Sequence, residues 1–186
     1  MKLRFVFASK EDLREVREAL APCGVEVLPC LAPIDELQLL DMQRQVSDKL
    51  LTAFKRIGKP LFVESTGLLI RSLNGFPGGL TRIFLDQLLA ERFSELVGRL
   101  DDPGAEMKTL IGYCDGRKKY FFESTQPGRI AAQPAGDSEL TWERVFIPEG
   151  QEQTYAELEA DRRLPVRHQA LEAFAAFLQE RQPWKT

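Results

Sequence analysis

Three consecutive polar residues, Glu64, Ser65 and Thr66, follow the apolar run Pro60-Leu61-Phe62-Val63. The run reads as a buried strand, and polar groups where a strand of an open α/β sheet ends lie where such sheets bind ligands. Glu64 could hold a cation or buttress a site. Ser65 has a neutral hydroxyl that does not titrate near neutral pH, so it is a poor metal ligand and a poor general base. His168 is the single histidine of the chain, which argues against a multi-histidine metal centre and against a Ser-His-Asp hydrolase.

The elements that must position these residues alternate between helical and extended patterns. Leu3–Phe7 reads as a first strand, and Leu13, Val16 and Leu20 then recur at helical spacing behind Ser9, a cap. Gly24–Leu28 is a second strand. A long helix is predicted from the Pro33–Glu36 turn to about Lys55, with Leu39, Leu40, Met42, Val46, Leu50 and Phe54 as its apolar stripe. After the polar cluster, Asn74-Gly75 and Pro77-Gly78-Gly79 form a turn cluster, and residues 81–100 form an amphipathic helix. The pattern then becomes β-rich, with Cys114-Asp115-Gly116-Arg117 as a hairpin turn. Short helices are predicted at 153–158 and 169–179. The 186 residues suit one domain, and no repeat or linker divides them. A net charge of −3 gives no reason to expect nucleic-acid or membrane binding, and no apolar run spans a bilayer. Cys23, Cys30 and Cys114 lack CxxC spacing and read as free thiols in a reducing cytoplasm. The fold class is α/β, a mixed sheet with flanking helices and an antiparallel portion in the second half.

Taken in order, these features resemble the inosine triphosphate pyrophosphatase family. The matching segments are LRFVFAS…LREVREAL, Asp35-Glu36-Leu37-Gln38, GKPLFVESTGL, LNGFPGGLTRIFL, TLIGYCDG, FEST…GRI and Trp142…VFIPEG…QTYAEL. No single segment is specific; their order over nearly the whole chain is. The resemblance implies an elongated α/β fold with a cleft between two lobes, usually a homodimer. It also implies magnesium-dependent hydrolysis of ITP, dITP or XTP to the monophosphate and pyrophosphate.

By the same resemblance, Ser65 stands where the family has a carboxylate that binds magnesium and activates water, so no catalytic set is intact. Residues 8–12, the family's phosphate loop, are shortened, and Lys10 is their only cation. Lys49, Arg163 and Arg167 match positions that hold the anionic ligand, and Trp142 and Glu143 match the base-reading segment. Glu36 and Glu64 remain as metal-side carboxylates. The register at Arg167-His168 is open, and either residue can occupy the family's position. Bland readings stand beside these. Lys49 reads equally as a solvated helix residue, Trp142 as core, His168 as a surface or capping residue and Glu64 as a buttress. The leading expectation is a catalytically impaired binder of a non-standard purine nucleoside triphosphate. It would act as a sensor or regulatory subunit for an effector protein, as a homodimer or hetero-oligomer, in a setting such as antiviral defence. The alternatives are an active pyrophosphatase, with Glu36, Glu64 and Asp41 rebuilding the metal site, and a scaffold that binds nothing.

Overall fold

The computed structural model describes residues 1–6, 10–30, 34–159 and 166–181. In chain order the elements are β1 (Lys2–Val6), α1 (Lys10–Leu20), β2 (Glu26–Pro29), α2 (Met42–Ile57), β3 (Leu61–Ile70) and β4 (Pro77–Gly78). They continue with α3 (Thr81–Val97), β5 (Gly104–Cys114), β6 (Lys119–Ile130), β7 (Phe146–Pro148) and α4 (His168–Glu180). Among the described residues the strands form one sheet in the order β2-β1-β3-β5-β6-β7, with β4 on β3. β1 pairs in parallel with β2 and β3, whereas β3, β5, β6 and β7 are antiparallel. The hairpin turn is where the sequence places it: Asp115 Oδ1 accepts from the amides of Arg117 and Lys118, and Gly116 takes a φ of 99°.

Within the observed helices α1 and α2, helical spacing finds the core. Val16, Leu20, Val46 and Leu50 are fully buried. Strand alternation then sorts the residues of β3 between two faces. Val63 joins Val46, Leu50 and Ala53 of α2 on one face, and Phe62 joins α1 and α4 on the other. Further along that second face, Leu68 and Ile70 join the α3 cluster with Phe93 and Phe146. Between the two clusters of this face runs a polar belt. Thr66 and Thr109 share a hydrogen bond of 2.8 Å across β3 and β5, and Ser124 of β6 donates to the carbonyl of Val166 at 2.5 Å.

Three expectations change. Glu64-Ser65-Thr66 does not end a strand; β3 runs on to Ile70 because β5 pairs with it continuously from Leu61↔Cys114 to Ile70↔Ala105. What ends there is β1, whose last pair is Val6↔Val63. The long helix begins only at Met42, capped by Asp41, whose carboxylate accepts from the amide of Arg44 at 3.0 Å. Leu40 is therefore outside the helix and exposed. Residues 153–158 form turns instead of a helix, because the amides of Tyr155 and Ala156 donate to Phe146 and Glu143.

Candidate active site

Among the described residues, β1 ends at Val6, opposite Val63 of β3. Among the described residues, β3 has no strand on that edge from Glu64 until β4 pairs with Leu68. Glu64 and Ser65 lie just past the end of β1, on opposite faces, as successive residues of a pleated strand must. The polar cluster thus lies at a switch point in the sheet, the position its composition suggested for a different reason.

On the α2 face, the peptide joining Glu64 to Ser65 meets Lys49. The ammonium donates to the carbonyl oxygen of Glu64 at 3.4 Å and pairs with Glu36 Oε1, also at 3.4 Å. Lys49 is 14% exposed and Glu36 26%, so this is not a solvated helix-face lysine. Glu36 is brought here by the segment that precedes α2, and the glycines after β3 dock that segment. The amide of Gly79 donates to Leu40, Gln45 Nε2 donates to the carbonyl of Gly79, and a Cβ on Gly79 would lie 2.2 Å from the Leu39 carbonyl oxygen. The Gly-Gly pair is needed for that close approach.

On the other face, three carboxylates share one guanidinium. Arg167 reaches Asp12 at 2.6 Å, Glu64 at 3.3 Å and Glu15 at 3.4 Å. Burial pushes the Glu64 carboxyl up to about 7, against the pull of Arg167 and Lys49 and with help from Asp12 and Glu15. One of its oxygens, Oε2, is buried with no hydrogen-bond partner among the described residues. Burial pulls Arg167 down, but Glu64 and Asp12 outweigh it and hold the guanidinium above its ordinary value. Asp12 and Glu15, one helical turn apart on α1, were not singled out by the sequence reading. Their spacing behind the first strand was the available signal.

The remaining candidates divide. Arg167 meets Glu64, Asp12 and Glu15, whereas His168 is 54% exposed and pairs with Glu172 at 3.2 Å, so of the two the arginine is the one brought to Glu64. Trp142 packs its ring against Tyr155 with centroids 4.9 Å apart, at the margin of the α3 cluster. Glu143 Oε2 accepts from Ser138 at 2.7 Å. Their direct partners are thus Tyr155 and Ser138, not Lys49 or Arg167. The Lys10 side chain and all of Arg163 lie outside the described residues.

Magnesium was expected with Glu36 and Glu64 as ligands, and the donor set does not fit a divalent ion held by the protein. Glu64 faces α1 and α4 and is tied to Arg167, Glu36 is paired with Lys49, Ser65 offers a neutral hydroxyl and Asp41 caps α2. No group of three or more His, Cys, Asp or Glu among the described residues could hold a metal ion.

Just past the end of β1, a lysine on one face of β3 and an arginine on the other place two cations at a switch point of an α/β sheet. The chain belongs to the Ham1 family, whose model matches residues 3–179. It is 32% identical over 178 residues to the dITP/XTP pyrophosphatase of Methanopyrus kandleri, covering 94% of this chain and 95% of that one. It is 31% identical to the inosine triphosphate pyrophosphatase of Yarrowia lipolytica, covering 97% of each. The fold matches a HAM1 protein from Coxiella burnetii with a TM-score of 0.85 at 21% identity, over 97% of this chain and 99% of that one. No helix among the described residues is long and apolar enough to cross a membrane.

Proposed function

We propose that this protein takes a non-standard purine nucleoside triphosphate, dITP, ITP or XTP, and cleaves it to the monophosphate and pyrophosphate. Full-length similarity to relatives bearing those names supports the substrate class. The observation that carries the reading is the placement of Lys49 and Glu36 against the Glu64–Ser65 peptide, beside the end of β1. In the reaction a water oxygen bonds to the α-phosphorus, the bond from that phosphorus to the α–β bridging oxygen breaks, and pyrophosphate leaves. Lys49 stabilises the phosphate charge that develops. Ser65 cannot take the water's proton, which passes to bulk solvent instead, so turnover is slow; loss of a general base removes about two to four powers of ten. Incubation of the pure protein with each nucleotide, followed by chromatography for the monophosphate, is expected to show product above a protein-free blank. Lys49→Met should abolish it, and Ser65→Asp should raise it several-fold.

A second reading is favoured by Ser65 itself: the protein binds the nucleotide and passes its bound state to a partner protein without turning it over. Bound nucleotide with no product, even at stoichiometric protein over hours, would select this reading over hydrolysis.

A further inference from the structure

We propose that Lys49 is the resident cation of this site, so that the nucleotide's phosphates bind without a divalent metal ion. This rests on the reading of the ligand as a nucleoside triphosphate and says how the same site holds it. The ammonium is fixed at 3.4 Å from Glu36 Oε1 and at 3.4 Å from the Glu64 carbonyl, and it is largely buried. It therefore stands against the Glu64–Ser65 peptide, beside Glu36, one of the carboxylates expected to hold a metal. Glu36 and Lys49 together carry no net charge. A magnesium ion added beside them would meet the repulsion of the ammonium, with only the hydroxyl of Ser65 to offset it. Glu64 cannot turn to assist, because the pleat directs it to the other face and Arg167 holds it there. An ammonium has three N–H donors and its two acceptors here are both distant, so a phosphate oxygen can be taken up with little displaced. An aspartate at position 65 would reverse the balance: the face would carry a net negative charge and two carboxylates, which suit magnesium held jointly with phosphates.

The test is calorimetric titration of the full chain with the α,β-methylene analogue of dITP, in excess magnesium and in excess EDTA. The wild-type dissociation constants should agree within about threefold. Lys49→Met should weaken binding in EDTA at least about tenfold, and Ser65→Asp should bind at least about tenfold tighter with magnesium than without. Wild-type affinity that falls more than about threefold in EDTA would overturn the proposal and leave the nucleotide reading standing. So would a Lys49→Met protein with unchanged affinity, or a Ser65→Asp protein indifferent to magnesium. If Lys49→Met does not fold, judged by its melting curve, the wild-type comparison and Ser65→Asp still decide. Absence of binding in both buffers would overturn this proposal and the proposed function together.

Discussion

Glu64 and Arg167 show how a residue's neighbours set its chemistry. A carboxyl in this environment is pulled two ways: burial favours the neutral acid, while the guanidinium at 3.3 Å favours the anion. Burial wins, because Arg167 is shared with Asp12 and Glu15, and Glu64 stands at about 7 against an ordinary 4.5. A raised carboxyl binds a proton in the folded state that the unfolded chain has already released. Its contribution to stability is therefore fully present below about 4.5 and lost as pH rises through about 7. A shift of this size is worth about 3 kcal/mol. Glu64→Gln, which cannot ionise, should become more stable relative to the wild type across that window. Denaturation midpoints of both proteins at a series of pH values from acid to slightly alkaline check it; parallel curves would mean that Glu64 stays ionised throughout.

Among the elements, the segment before α2 depends on the turn after β3. The Glu36-bearing stretch has no strand or helix of its own and is held by Gly78 and Gly79. Thr81 braces the turn from behind, accepting from the amide of Leu68 at 2.7 Å and donating to the carbonyl of Gly78 at 2.6 Å. A methyl group at position 79 would lie 2.2 Å from the Leu39 carbonyl oxygen and 2.5 Å from Gln45 Oε1, distances that backbone must open. Gly79→Ala should cost about 1–3 kcal/mol, the usual range for overpacking. It should also weaken nucleotide binding, because displacing Leu39 moves Glu36 away from Lys49. Urea denaturation and calorimetry on the same variant test both halves. A destabilised protein with intact nucleotide affinity would separate the turn from the site.

At the scale of the whole molecule, the site past the end of β1 draws on elements far apart in sequence: α1, the segment before α2, β3 and the Val166–Arg167 corner. A ligand that bridges them binds only the folded chain and raises its melting temperature. Hypoxanthine presents an N1–H donor where adenine has a bare nitrogen, and a carboxylate accepts only from the former. If Glu143 leaves Ser138 to make that bond, dITP or ITP should bind at least about tenfold tighter than ATP, about 1.4 kcal/mol. Glu143→Ala should narrow the gap. Thermal-shift curves with dITP, ITP, XTP and ATP check this. Equal shifts with ITP and ATP would leave Glu143 as a partner of Ser138 alone.

The sequence by itself determined what depends on near neighbours. Helical spacing at Val16, Leu20, Val46 and Leu50 marked buried faces, and Asp115-Gly116 marked the hairpin turn. The ordered segments marked the family, and by that resemblance Ser65 stands where a carboxylate is expected. Only the tertiary structure decided what depends on distant pairing. Glu64–Thr66 looked like a strand end because polar residues interrupt an apolar run, yet β5, some forty residues on, pairs straight through them. Residues 39 and 40 fit the α2 stripe, but the helix cannot begin until Asp41 caps it and the glycine turn holds the chain extended before it. That Arg167 and not His168 meets Glu64, Asp12 and Glu15 depends on packing across the fold. The same pleat that pairs β3 with β5 also turns Glu64 to the face of Arg167, away from Glu36 beside Lys49, which parts the two carboxylates expected to share a metal.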